Sequence, residues 1–183
     1  MENQTQTPFQ AAVRPGLITG LVAMAITYIA YFIDSSFMAS GWFGFGSFAL
    51  FFALLIYFGA QFRKEQGGFM SFGVAFNFSF IAIFISGLVS LVGQLLLFHV
   101  IDPSLPEVLA EITFENTLKM VERFGQNPDT MPSEAIDQLR AQSENSFTIG
   151  GQIKNFGFGL IAFAIIALIL AAILKKRDKS LDY

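Results

Sequence analysis

The chain has 183 residues, of which 54% are hydrophobic and 14% charged, with 23 phenylalanines, one histidine, no cysteine and a formal net charge of −3. Soluble domains average about 25% charged residues, so the composition excludes an ordinary soluble enzyme and points to a membrane protein. A thiolate nucleophile, a disulfide framework and the usual His/Cys zinc sites fall away with the cysteines.

In chain order, residues 1–15 read as a tail carrying Arg14, followed by a charge-free run from Gly16 to Ile33. A bilayer core about 30 Å thick needs about 20 apolar residues in a helix, so this is the first span. It is longer than the apolar core of a secretory signal and is expected to remain as an uncleaved anchor. Asp34 to Gly41 is a short turn without Lys or Arg, and residues 42–62 form the second span.

The next stretch, "RKEQGGFMSFG" from Arg63 to Gly73, sets three charges and two adjacent glycines between apolar runs. A phosphate-binding loop would need a preceding strand and a Lys-Ser or Lys-Thr after its glycines, and this stretch has neither. It reads instead as a turn in which Gly67 and Gly68 supply positive φ. The third apolar run extends from Phe72 to Phe98. Its membrane part is placed at residues 78–98, with Ser71 to Asn77 as an interfacial entry.

Residues 101–146 are polar, with nine acids against Lys119, Arg123 and Arg140. Pro106 suits the first turn of a helix, and Leu105, Val108, Leu109 and Ile112 share one face. The apolar face then shifts to Phe114, Leu118 and Val121, and the helix is expected to end near Phe124. "GQNPDTMPSE" reads as a turn, after which Thr130 or Ser133 is expected to cap a second helix through about Ser143. Residues 147–183 hold the fourth span, 156–174, and a tail with Lys175, Lys176, Arg177 and Lys179.

The expected architecture is therefore all-α, with four transmembrane helices and a helical extracytoplasmic hairpin between helices three and four. Lys and Arg favour cytoplasmic loops, and here they gather in the N-terminal tail, the second loop and the C-terminal tail. Both termini are accordingly expected in the cytoplasm, with the acidic segment outside.

Few residues suggest chemistry. His99, Asp102 and Ser104 stand close in sequence, but catalytic triads are defined by geometry rather than spacing, and His99 reads as an interfacial residue. Glu107, Glu111 and Glu115 share a helix face that would suit a hard cation, or would simply be solvated and offset by Lys119. No ionisable residue stands near a span centre, which disfavours a coupled transporter. Gln94 and the serines of the third span are the polar groups from which a transport path could be built.

Small residues are better represented. Gly16 and Gly20 form a GxxxG pair. Ser79, Ser86, Ser90 and Gly93 line one stripe of the third span, and Gly159, Ala167 and Ala171 line another on the fourth. Such stripes let helices approach closely, within one bundle in preference to a dimer seam. Phe69, Phe72, Phe76, Phe80 and Phe84 form a stripe expected to be packed or lipid-facing, and Trp42 suits the outer interface.

The sequence "QFRKEQGGFMSFGVAF", an apolar helix, "FHVIDPSLPE", a polar helical segment and a last span ending in "LKKR" together resemble the bacterial membrane family catalogued as domain of unknown function 4199. The resemblance covers nearly the whole chain. It implies an integral inner-membrane protein and lends no catalytic residue.

The function expected on these grounds is a non-catalytic interaction or assembly protein of the bacterial inner membrane. It would need no cofactor, metal or nucleic acid, and its partners would be the bilayer and a protein or second copy meeting Phe114, Leu118 and Val121. The alternatives are a small transporter or channel subunit with a path near Gln94, and a membrane enzyme with a surface site near His99.

Overall fold

A computed structural model describes residues 6–177. Among them are six α-helices and no strand: α1 Pro8–Ile33, α2 Gly41–Glu65, α3 Phe72–Leu96, α4 Leu105–Arg123, α5 Ser133–Phe147 and α6 Ile149–Leu174. α3 continues through a π-helical turn, Leu97–Ile101, so that α1, α2, the 30-residue helix Phe72–Ile101 and α6 are each long and apolar enough to cross a membrane. The chain is a multi-pass, all-helical membrane protein.

α1, α2 and α6 each reach beyond their charge-free runs, whereas the third spanning helix, Phe72–Ile101, lies within its own. α1 begins at Pro8 because Thr7 and Gln10 cap it reciprocally: the Gln10 amide donates to Thr7 Oγ1 at 3.3 Å and the Thr7 amide donates to Gln10 Oε1 at 3.2 Å. α3 starts at Phe72, where Ser71 Oγ accepts from the Val74 amide at 3.4 Å, so the stretch read as an interfacial entry is helical. α6 opens at Ile149 and includes Lys154 and Asn155.

The contacts divide the described residues into two compact units, residues 6–26, 45–90 and 158–177 in the first and residues 27–44 and 91–157 in the second. In the first unit, Ala12, Leu55, Phe62, Phe78, Ile83, Ala167, Leu170 and Leu174 belong to one buried cluster. Phe62 and Phe78 stack with centroids 5.0 Å apart. The GxxxG pair serves this unit internally, since Gly16 and Gly20 lie against Ala82, Ile85, Ser86 and Val89 of α3. Of the stripe on α6, Ala167 and Ala171 are wholly buried.

The glycine pair is a turn, as its composition predicts. Gly67 and Gly68 have φ of 84° and 87°, and the Gly68 amide donates to the Arg63 carbonyl at 2.9 Å to close α2. Beyond the turn, Met70 and Lys176 exchange both backbone hydrogen bonds, at 3.0 and 2.9 Å, and Arg63 donates to the Leu174 carbonyl at 3.1 Å. Lys175 and Lys176 lie over the rings of Phe72 and Phe69, at the basic end of the Phe stripe.

In the second unit, Leu97, Phe98, Leu105 and Leu109 are buried, with Tyr28, Tyr31, Met38, Ala39 and Phe147 packed against them. Tyr28 donates to the Gly93 carbonyl at 2.9 Å. A 3-10 turn at Ser35–Ala39 is capped by the Asp34 carboxylate, which accepts from the Ser36 amide and hydroxyl and is thereby held below the ordinary aspartate pKa. Asn116 of α4 donates to the Ala39 carbonyl at 3.3 Å, tying α4 to that turn.

Between α4 and α5 the expected side-chain cap does not form. Pro132 occupies the capping position of α5 without a side-chain hydrogen bond, while Thr130 donates to the Asn127 carbonyl at 2.8 Å. The turn is organised by Asn127, whose side chain accepts from the Asp129 amide at 2.9 Å.

Candidate functional site: a cleft along α4 and α5

Proline at the start of α4 and glycine after its end fix its length, and its buried residues Leu105, Leu109, Ala110 and Phe114 follow helical spacing. Phe114 is only 5% exposed. Its ring is covered by the Arg140 guanidinium of α5, 4.3 Å from the centroid, and Arg140 also donates to both carboxylate oxygens of Glu111. Pairing with Glu111 raises the Arg140 pKa above its ordinary value, so the guanidinium is charged at every accessible pH. The ion pair is half exposed and contributes little by itself; the guanidinium holds α5 in place by lying on the ring and the carboxylate together.

This contact forms part of the wall of a cleft of about 530 Å³ whose lining includes His99, Glu107, Glu111, Phe114, Arg140, Glu144 and Phe147. His99 stands in the π-helical turn, a distortion that widens the helix and often accompanies functional positions. Its Nε2 lies 3.4 Å from Gln152 Nε2, and that side-chain Nε2 donates to the Phe147 carbonyl at 3.1 Å. Gln152 Oε1 is buried with no hydrogen-bond partner among the described residues.

His99, Asp102 and Ser104 do not assemble into a relay. Asp102 accepts from the Ser104 amide at 3.1 Å and hydroxyl at 2.6 Å, and from the Tyr31 hydroxyl at 3.1 Å, whereas His99 turns to Gln152. The Ser104 hydroxyl is thus engaged by the Asp102 carboxylate and not by the imidazole. That hydroxyl is the main cause holding the Asp102 carboxyl below the ordinary aspartate range. The glutamate stripe is also partly engaged, Glu111 by Arg140 and Glu115 by Lys119 at 3.5 Å. Among the described residues no three His, Asp or Glu side chains are placed to hold a metal ion.

The polar groups of α3 are distributed unevenly. Gln94 is exposed, Ser79 and Ser86 are buried, and Ser86 donates to the Gly16 carbonyl. Of the expected contact residues, Leu118 and Val121 are half-buried and Phe114 faces inward. Two apolar residues that the periodicity left aside are the most open at the end of α4: Met120 at 53% and Phe124 at 82% exposure. The signal was present in their four-residue spacing, which puts both on one helix face.

No curated protein and no solved structure matches this chain. A family model described as "Protein of unknown function (DUF4199)" matches residues 14–176, a span that holds both Gly67-Gly68 and Ile101-Asp102-Pro103. The match covers nearly all of the four spanning helices and the α4–α5 segment between the last two, and the chain belongs to the DUF4199 family.

Proposed function

We propose that this chain is a non-catalytic interaction or assembly protein of the bacterial inner membrane that holds a partner protein, or a second copy of itself, against the α4–α5 hairpin. The observation that carries the reading is the open end of α4, where Met120 and Phe124 are exposed beside half-buried Leu118 and Val121. An apolar patch in an otherwise acidic aqueous segment wants cover, and a protein surface supplies it. Phe114 serves the contact from beneath, by fixing α5 to α4. In this reading both termini are cytoplasmic and the hairpin is outside. The support is the gathering of Arg63, Lys64, Lys175, Lys176 and Arg177 about the Met70–Lys176 bridge, opposed to the acidic composition of residues 101–146.

The test is a photo-reactive side chain placed at Met120 in cells. A discrete protein adduct is expected, and Leu118→Ser, Val121→Ser and Phe124→Ser together should remove it without affecting insertion. An adduct that survives the triple replacement, or the absence of any protein adduct, would refute the contact.

A further inference from the structure

A cleft of about 430 Å³ lies in the first unit, between α1 and α2, and its lining is ordered along its length. Gln10, Arg14 and Ile18 contribute from α1, and Tyr57, Gln61 and Glu65 from α2. Each set is spaced by four residues, so each forms one row with steps of about 6 Å. The two rows run in opposite directions, because Gln66 Nε2 at the end of α2 donates to the Gln6 carbonyl just before α1, at 3.4 Å. Moving inward from that end, the cleft therefore presents a carboxylate with an amide, then a guanidinium with a second amide, then an aliphatic and an aromatic side chain.

Arg14 and Glu65 line the same cleft without pairing. Among the described residues neither forms an ion pair, and both are exposed. Two opposite charges left apart on facing helices are complementary to a zwitterion whose charges are separated by a short spacer. Both helices cross the membrane, and Tyr57 at the inner end is 63% exposed, so the apolar end of the cleft opens to lipid. Arg14 stands six residues after the start of α1, about 9 Å along the helix, within reach of the headgroup layer for a long side chain.

The geometry points to a binding site for a phospholipid with a primary ammonium headgroup, of the phosphatidylethanolamine class. Acyl chain, phosphate and ammonium follow one another in such a lipid in the order Ile18 and Tyr57, Arg14, Glu65. The guanidinium supplies a charge-assisted, two-pronged contact to the phosphate, and the side-chain amides of Gln10 and Gln61 are further donors beside it. Glu65 accepts from the ammonium, which carries three N–H donors two carbons beyond the phosphate. A choline headgroup has no N–H to give, and a glycerol headgroup leaves the carboxylate beside a net negative lipid.

The experiment uses the full chain purified in mild detergent and doped with phosphatidylethanolamine, phosphatidylcholine or phosphatidylglycerol of matched acyl chains, with melting temperature as the readout. The ethanolamine lipid is expected to raise the melting temperature by several degrees and the other two by less. Arg14→Gln should abolish the rise, and Glu65→Gln should reduce it to that of the other lipids. A glycerol or choline lipid that stabilises equally would overturn the proposal, as would retention of the full effect in both variants. Free phosphoethanolamine giving the same rise would show a soluble headgroup ligand in place of a lipid. Competition between the three lipids for the unmutated chain, read by native mass spectrometry, decides the headgroup order even where a variant fails to fold.

Discussion

Ser86 donates its hydroxyl hydrogen to the carbonyl of Gly16 at 2.8 Å, so α1 and α3 are joined through the backbone of a glycine. The approach that permits this is close. A Cβ on Gly16 would stand 2.8 Å from Ile85 Cβ and 2.9 Å from the Ala82 carbonyl oxygen, and one on Gly20 would stand 2.7 Å from Val89 Cβ and 2.9 Å from the Ser86 carbonyl oxygen. Backbone atoms yield only if the helix moves. Gly20→Ala is therefore expected to cost about 1–3 kcal/mol through overpacking, more than Ser86→Ala at about 0.6 kcal/mol for an interhelical hydrogen bond in a membrane. Gly46→Ala, with nothing within 4 Å, should be neutral or stabilising. Melting of the three variants in one detergent checks the order, and a Gly20→Ala protein as stable as Gly46→Ala would contradict the close approach.

Arg140 spans a ring and a carboxylate, and the two contacts predict different losses. Arg140→Ala should loosen α5 modestly, since an exposed cation–π contact and a half-exposed ion pair are each weak. Phe114→Ala should cost more, about 3–5 kcal/mol for a buried phenylalanine, and Glu111→Gln the least. Hydrogen exchange across Ser133–Phe147 reads the effect directly, with protection falling in that order. Equal protection in wild type and Phe114→Ala would mean that α5 is held by something other than this ring.

The Asp102 carboxyl, with Ser104 and Tyr31 donating to it, titrates below the ordinary aspartate value of 3.8. A depressed folded-state pKa contributes stability above the unfolded value, and that contribution is lost as the pH falls through the folded one. The turn between the π-helical segment and α4 should accordingly be insensitive to pH from neutrality down to about 4, and loosen below it. In Asp102→Asn this acid-dependent step should be absent. Exchange rates of the Ser104 and Leu105 amides against pH provide the measurement, and a step of the same size in the variant would assign it to another group.

Much of this architecture is legible in the sequence because lipid imposes a coarse requirement, runs of about 20 apolar residues. Helix ends are not set by that requirement. Lys154 and Asn155 lie within α6, and Pro8 starts α1, because a helix continues until its terminal amides and carbonyls find partners, here Thr7 and Gln10 at one end. The glycine turn was readable because positive φ has few other solutions. What periodicity could not supply was the partner of each face. Phe114 lies in an apolar stripe with Leu118 and Val121, yet it is covered by an arginine 26 positions later, a relationship that belongs to tertiary packing alone. His99, Asp102 and Ser104 are neighbours in sequence and point to different partners for the same reason.

The charge distribution makes a definite prediction about topology. Glu65 and Gln126 are both exposed, Glu65 at the basic end of the first unit and Gln126 in the acidic turn between α4 and α5. The native chain has no cysteine, so Glu65→Cys and Gln126→Cys each carry a single thiol, and neither removes a positive charge that could itself set the orientation. Lys and Arg near span ends are retained on the cytoplasmic side, and Arg63 and Lys64 adjoin the first site while Arg123 alone stands near the second. In intact cells an impermeant thiol reagent should label Gln126→Cys and leave Glu65→Cys unlabelled until the membrane is opened. Labelling of Glu65→Cys alone in intact cells would reverse the orientation, place the α4–α5 hairpin in the cytoplasm and limit its partners to cytoplasmic ones. Labelling of both would show a population inserted in two orientations, as expected only if the basic residues at the Met70–Lys176 bridge do not act as a single retained cluster.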